Sequence, residues 1–359
     1  MKNNIMKNNS GKILFILLLT CTSCSSIYRF SMEVQEPAPV TLPVFAQNVL
    51  ILNNAVVQPN EYGIKRTFDG QSIPSDYLLS LDSLIWPATD EIALVLNESN
   101  FFNAVAIYQQ PLRTDSDWFS QTYISPELQS DFYDSENFDA LFVINQLLFS
   151  LKEDVSKNKV DIPSDGLTAF VDLRADGAIS CSMYTYGDEK PMITFNISDS
   201  LFFKSMIYSD PIIFLKEIPE YVLRELSIKL GNQAAQRFIP TWKTEERILF
   251  VSSNARIQEA AGYAADHQWT KAEPIWTAEL EKRTKPLDKA KIAFNLAVAN
   301  EMQDKLEPAL EWAQKAKEYL KNANPDKDYK ETELTNKYIS ELERRIENNR
   351  LLDLQWGKE

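Results

Sequence analysis

The chain is poor in the residues from which most active sites are built. Its 359 residues include one histidine, His267, and three cysteines, Cys21, Cys24 and Cys181. With Cys21 and Cys24 in an N-terminal export segment, one histidine and one free cysteine, Cys181, cannot make a usual zinc centre. Histidine acid–base chemistry needs a pocket, and Asp266-His267-Gln268 reads as an exposed turn between two helices. Nine glycines are present, with no P-loop, no G-x-G-x-x-G and no G-x-S-x-G, which excludes those phosphate cradles and the hydrolase nucleophile elbow. Positive charge is scarce: 37 Lys and Arg face 51 Asp and Glu, a net −14. Nucleic-acid binding needs a basic footprint, so no nucleic-acid partner is expected, and neither a cofactor nor a metal. Spanning apolar stretches are missing too. The run Ile13–Leu19 has seven residues, whereas a bilayer-spanning helix takes about 20.

What is present begins at the N-terminus. Lys2, Lys7 and Lys12 precede the apolar run with no acid among them, and Thr20-Cys21-Thr22-Ser23-Cys24 follows it. A basic segment, a short apolar core and small residues make a secretion signal, so residues 1–23 are read as one. A cysteine at the expected cut resembles the lipobox of bacterial lipoproteins, which has an apolar residue at minus three and a small one at minus one. Cys24 has Ser23 before it but Cys21 at minus three; Cys21 has Leu18 at minus three but the larger Thr20 at minus one. Cys24 is the expected lipidation site and Cys21 the competitor. An ordinary signal with an incidental cysteine is the plain alternative. Two or more acyl chains suffice for stable anchoring, so the membrane is an expected partner through lipid alone. Cys181 then has no partner for an intramolecular disulfide.

Residues 24–40 are polar and proline-bearing and read as a linker. From 41 to 245 strand and helix signals mix. Gln47–Asn54 and Asn103–Tyr108 read as strands, Phe138–Leu151 contains a third, and Ala88–Asn97 reads as a helix. Asp176-Gly177 between β-rich runs predicts a hairpin turn joining 168–174 to 178–186, and Gly187–Lys190 turns the chain into Pro191–Ser198. Ile212–Phe238 is helical by the spacing of Leu215, Ile218, Val222, Leu226 and Leu230. From 246 to 359 strand signals vanish and alanine becomes frequent. Helices are predicted over 254–266 and 270–283, over 289–302 and 306–321, and over 329–354, with Thr270 and Glu273 as a capping box. The fold class is α+β: a mixed α/β domain followed by an all-α domain.

The helical part looks like tetratricopeptide repeats, helix pairs with small residues at their contacts. Tyr263, Ala272 and Trp276 fit one unit, and Leu296, Ala297, Ala309 and Ala316 the next. Ala272 and Ala309 lie 37 positions apart, in step with Trp269 and Leu306. Tyr263, Trp269, Trp276 and Trp312 are the candidate interaction residues of such an array, with plain helix packing as the equal alternative. Elsewhere, Asp131, Asp134, Glu136 and Asp139 cluster, and paired acids serve glycosidases; a solvated face is the plainer reading. Phe101, Phe102, Tyr108, Trp118, Phe119 and Tyr123 form an aromatic group that is either core or an exposed binding set. Asp326 and Asp328 lack the spacing of an EF-hand. Asp82-Ser83-Leu84 and Asp199-Ser200-Leu201 are short O-glycosylation-like triplets.

Several segments, in order, carry a family resemblance: Glu36–Pro43 leading into Asn48–Asn54, then Tyr184–Pro191, Arg237–Trp242 and the helix end Arg344–Gln355. Together they resemble envelope lipoproteins of Bacteroidota with C-terminal tetratricopeptide-like helices, a family of unknown function. The resemblance implies an outer-membrane lipoprotein, and Ser25-Ser26-Ile27-Tyr28-Arg29 after the cysteine lacks the acids that mark surface export, implying a periplasmic face. The mixed domain also resembles, by strand and helix order, small domains of curli-secretion and TolB-type proteins. The expected function is a non-enzymatic interaction or assembly factor for envelope proteins. A secretion-pore subunit and a carboxylate-dependent hydrolase are the alternatives.

Overall fold

The computed structural model describes residues 27–73, 79–157, 167–209, 213–323 and 330–358. The signal segment with Cys21 and Cys24, and the pair Asp326 and Asp328, lie outside them. The chain forms two compact units. One holds residues 35–241 and 351–359; the other holds 242–350 together with residues up to 34.

The first unit is built on a mixed sheet. Its strands are β2 (Asn48–Asn53), β3 (Ile64–Phe68), the short β4 (Gln71–Ser72), β5 (Ala104–Ile107), β6 (Ala140–Lys157), β7 (Leu167–Thr185) and β8 (Ile193–Ser209). β7 pairs antiparallel along all of β6, from Ala140 opposite Thr185 to Lys157 opposite Ala169. That leaves β6 one free edge. β2 takes its first part in parallel, Val49 opposite Ala140, and β3 takes its later part, Ile64 opposite Leu151. The gap between β2 and β3 is bridged by a side chain: Gln58 Nε2 donates to Phe149 O at 2.9 Å, and Phe149 N donates to Gln58 Oε1 at 2.9 Å. A carboxamide thereby stands in for a backbone ladder step that would otherwise leave buried groups unpaired. β5 flanks β2 in parallel, and β8 flanks β7.

Two helices cover one face. α1 (Ile85–Glu98) buries Ile85, Ala88, Thr89, Ile92 and Leu96, the spacing of one helical stripe. A π-helical turn (Ile213–Glu217) leads into α3 (Ile218–Ala235), which buries Val222, Leu223, Leu226, Leu230 and Ala234. A Cβ on Gly231 would lie 2.5 Å from Ala88 O, so the two helices cross at near backbone contact. α2 (Pro126–Glu136) lies between β5 and β6, with Ser125 Oγ accepting from Leu128 N and Pro126 in the first turn, the usual start signals.

The expected hairpin at Asp176-Gly177 is corrected: both residues lie inside the continuous strand β7. Paired ladders on both sides hold the chain extended and override the local turn preference. Gly177 serves packing instead. A Cβ there would meet Leu230 Cδ1 at 2.9 Å and Leu226 Cδ2 at 3.0 Å, so its absence lets α3 settle on the sheet. The segments 168–174, 178–186 and 191–198 thus give two strands, β7 and β8, and β6 is the third member of the antiparallel set.

The second unit consists of α4 (Ala255–Ala265), α5 (Trp269–Lys282), α6 (Pro286–Glu301), α7 (Leu306–Ala323) and most of α8 (Lys330–Gln355), plus a two-stranded sheet of β1 (Ile27–Glu36) and β9 (Thr241–Phe250). The stretch 24–40 read as a linker therefore contains a strand, and the boundary read at 245 falls inside one. Phe30, Met32 and Val34 alternate in β1, a pattern hidden by the prolines that follow. Asn254 caps α4 by accepting from Arg256 N and Ile257 N. The capping box at Thr270 and Glu273 is not formed: α5 starts at Trp269, and its cap residue Gln268 makes no side-chain cap bond. His267 and Asp304 both take left-handed backbone, φ 58° and 60°, at the α4–α5 and α6–α7 turns. They share the 37-position offset of Ala272 and Ala309, so the helix pairs repeat in the alanine register.

Candidate functional site

The first unit carries an open cleft of about 500 Å³ at the carboxyl ends of β2 and β5. Open parallel sheets bind ligands at this end of their strands. Three segments form its walls. Asn53, Ala55, Val56, Val57 and Pro59 come from the β2–β3 connection, Asp82, Ile85 and Trp86 from the start of α1, and Pro111, Arg113, Asp115 and Ser116 from the β5–α2 loop.

That loop, residues 108–125, has no regular structure, yet it is tied down throughout. Arg113 donates to Asp115 Oδ2 through Nε at 2.8 Å and to Oδ1 through Nη2 at 2.7 Å. Its remaining donors reach Ser120 O at 3.2 Å and Asp117 O at 2.9 Å. The bidentate bond from Arg113 is the main reason the Asp115 carboxyl is held below the usual carboxylate range, and the Asp117 backbone N–H adds to it. The same contact raises Arg113 above its ordinary value. Asp117 is lowered by hydrogen bonds from the Ser120 hydroxyl and backbone N–H. Gln146 on β6 donates to Phe119 O at 2.7 Å and Trp118 O at 3.1 Å, and Asn54 donates to Thr122 O.

The anchoring holds aromatic rings in water. Phe119 is 70% exposed, and Tyr62 and Tyr123 more than half. Tyr62 packs against Trp118 with centroids 5.2 Å apart, and Trp118 against Phe119 at 5.5 Å. The two loops that wall the cleft are thus also joined by an aromatic row. Arg113 has all its hydrogen-bonding nitrogens engaged, so the cleft presents apolar surface and the Asp82 carboxylate rather than an available cation.

The aromatic group of the sequence divides. Phe101 and Phe102 are buried, with Phe101 edge-on to Trp356 at 5.1 Å. Tyr108 packs edge-on to Phe132 at 5.0 Å. Trp118, Phe119 and Tyr123 belong to the cleft loop. The described side chains of the acid cluster, Asp131, Asp134 and Asp139, do not converge on one point. Asp131 and Asp134 are exposed on α2, while Asp139 accepts from Asn48 N at 3.1 Å and Nδ2 at 2.6 Å, capping β2. The Glu136 side chain lies outside the description. Among the described residues no three His, Cys, Asp or Glu side chains are placed to hold a metal ion. Cys181 is buried, and burial pushes its thiol well above the ordinary value. His267 is exposed in its turn.

The candidate interaction residues of the helical unit divide as well. Trp276 has no exposed surface and Trp269 only 6%, so the reading of these two as interaction residues is corrected: they fill the helical core. Tyr263 and Trp312 are half-buried under lysines, Lys271 Nζ lying 5.6 Å from the Tyr263 ring and Lys315 Nζ 4.3 Å from the Trp312 ring.

Two buried ionic groups had no sequence signature. In the helical unit Arg247 on β9 bonds Glu301 through Nε and Nη2, both at 2.8 Å, Glu245 at 2.7 Å and Glu341 at 3.1 Å. Arg345 also reaches Glu301, Arg344 reaches Glu245, and Tyr338 Oη donates to Glu301 at 2.7 Å. Burial opposes ionisation of Glu301, but the Arg247 bond and the charges of Arg247 and Arg345 outweigh it, so Glu301 stays below the usual range. In the first unit Arg66 pairs with Glu153, both buried. There burial wins over the Arg66 charge and bond and pushes Glu153 up to about 7. Both networks tie elements together; Arg247, Tyr338 and Glu341 of the first also line a small pocket of about 110 Å³ on the helical unit.

Residues 46–250 match the family of a domain of unknown function (DUF8603), and residues 258–344 match a second domain of unknown function (DUF6340). No curated protein matches the chain. A solved structure described as a neuraminyllactose-binding hemagglutinin homolog from Helicobacter pylori is similar over 55% of this chain and 88% of its own, at 10% identity and a TM-score of 0.25. At that level of likeness nothing about this chain follows from it.

Proposed function

We propose that this chain, which belongs to the DUF8603 family, works by binding another protein at the cleft beside β2 and β5 rather than by catalysis. The observation that carries the reading is the aromatic row Tyr62–Trp118–Phe119 on the two loops that wall the cleft, with Tyr62 and Phe119 exposed and the Trp118 and Phe119 carbonyls held by Gln146. Contiguous exposed apolar surface marks interaction sites, and Trp and Tyr are enriched among the residues that carry interface binding energy. The apolar walls and the Asp82 carboxylate suit a partner segment with apolar residues and a basic neighbour, in keeping with the net charge of −14.

The address completes the proposal. The basic start, the short apolar run and Ser23-Cys24 support a lipid-anchored protein of the outer membrane facing the periplasm, of the Bacteroidota envelope type, with Cys24 acylated. No helix among the described residues is long and apolar enough to cross a membrane. Mass spectrometry of the N-terminal peptide should find acyl chains on Cys24; a chain starting elsewhere, unmodified, removes this part.

Binding is tested with the full chain as bait in detergent-solubilised envelopes. A specific partner should be retained by the native protein and lost with Tyr62→Ala and Phe119→Ala together, while circular dichroism stays unchanged. Equal retention by the variant would sink the cleft as the binding surface.

A further inference from the structure

The other lateral boundary of the sheet carries a second surface. β8 runs 17 residues, Ile193–Ser209, without a proline or glycine. Its pairing with β7 is uninterrupted from Met183 opposite Ile193 to Leu167 opposite Ser209, in contrast to the irregularity at Ile144–Gln146 between β6 and β7. Among the described residues no strand pairs with its outer edge. Long, regular edge strands are templates for further pairing, and proteins normally blunt them with bulges, prolines or charged side chains. This edge has no bulge and no proline, and its two charged side chains, Asp199 and Lys204, are each paired within the unit. Lys204 is bonded to Asp172 on β7 at 3.0 Å, and Asp199 to Lys229 on α3 at 2.8 Å. Arg174 is bonded to Asp176 at 2.8 Å and lies over the Phe202 ring at 5.2 Å. Phe202 itself is 71% exposed.

We propose that β8 pairs antiparallel with β8 of a second copy of this chain, joining two sheets about a two-fold axis at Phe202. Both charged side chains of β8 have partners within their own unit, so neither stands unpaired at the edge. The sequence of the edge is also complementary to itself. With Phe202 opposite Phe202, Ser200 falls opposite Lys204, Asp199 opposite Ser205 and Leu201 opposite Phe203. No like charges meet, and an aromatic pair sits at the centre, a favourable cross-strand arrangement. Centring on Asp199 or Lys204 would instead put like charges face to face. A two-fold contact of this kind is closed, so it stops at a dimer.

The test uses the full chain in mild detergent. Sedimentation velocity should give a dimer, and Phe202→Lys should weaken it by at least about tenfold in Kd without changing the circular dichroism; a tenfold loss corresponds to 1.4 kcal/mol. Phe202→Cys, at the two-fold axis, should form a disulfide-linked dimer under mild oxidation, and Leu94→Cys, exposed on α1, should not. Four results would each overturn the proposal. These are a native monomer at all concentrations, a dimer indifferent to Phe202→Lys, no link at Phe202→Cys, and a link from that position to a different protein.

Discussion

Replacing Arg247 by methionine probes the helical unit at its electrostatic centre. The side chain is 3% exposed and its partner Glu301 not at all. Methionine keeps most of the volume but removes the bonds to Glu301, Glu245 and Glu341 and leaves buried carboxylates facing one another. Breaking a buried ion pair from one side costs about 3–5 kcal/mol. Arg345 and Tyr338 still reach Glu301, so a loss near the lower figure, about 3 kcal/mol, is expected. Urea unfolding followed by circular dichroism measures it. The pH dependence fixes the cause. In the native chain Glu301 is held low, so the stability it contributes is present above its unfolded value and is lost as pH falls through its folded one. Without Arg247 burial acts with less opposition, Glu301 moves up, and the penalty lies above that raised value and fades on acidification. The gap between native and variant should therefore narrow from pH 7 to pH 4. Adding Glu301→Leu should recover part of the loss, because an apolar replacement of both partners leaves fewer stranded charges. A loss under about 1 kcal/mol, a gap that widens in acid, or a double variant worse than the single would each refute the reasoning.

Three further outcomes follow from the first unit. Gly177→Val should destabilise it by about 1–3 kcal/mol, the cost of overpacking, because even the first added carbon would lie at or within 3.0 Å of Leu226 and Leu230; thermal unfolding checks this. Glu153, pushed up to about 7 by burial, is a raised acid. Its folded form holds the proton longer than its unfolded form, so stability falls as pH rises from the ordinary Glu value to about 7. Glu153→Gln should flatten that slope, a difference on the order of 3 kcal/mol at pH 8, read from urea unfolding across pH. Arg113→Ala should speed hydrogen exchange across residues 113–122 and leave the transition midpoint nearly unchanged, because the loop is anchored by that side chain but contributes little core.

The architecture was legible where one periodicity dominated. Asn48–Asn53 and Ala104–Ile107 are short apolar runs between polar ends, and the five C-terminal helices carry alanine and leucine at helical spacing. The α+β class follows from that contrast, and the structure has it. Asp176-Gly177 was misleading because turn chemistry is local, while β6 and β8 hold β7 from both sides. β9 carries Lys243, Glu245, Glu246 and Arg247, charged residues that mask its strand pattern. In the fold Glu245 and Arg247 are buried as partners. The cleft was half visible. Trp118, Phe119 and Tyr123 stood out as an aromatic group, but only the fold separates them from Phe101 and Phe102 in the core. Arg113, flanked by Asp115 and Asp117, carries no sequence sign that its hydrogen-bonding nitrogens are all spent on fixing a loop. Trp269 and Trp276 failed as surface residues for the converse reason, since the repeat register that makes them recognisable also points them inward.

Binding of another protein at the cleft beside β2 and β5 can be captured in cells. A photo-cross-linking amino acid placed at position 119 in cells tests it most directly, with the same residue at position 94 on the far-exposed face of α1 as reference. Binding at the cleft gives a discrete protein adduct at 119, absent at 94, that disappears when Arg113→Ala releases the loop. No adduct at 119, or the same adducts at both positions, would contradict it.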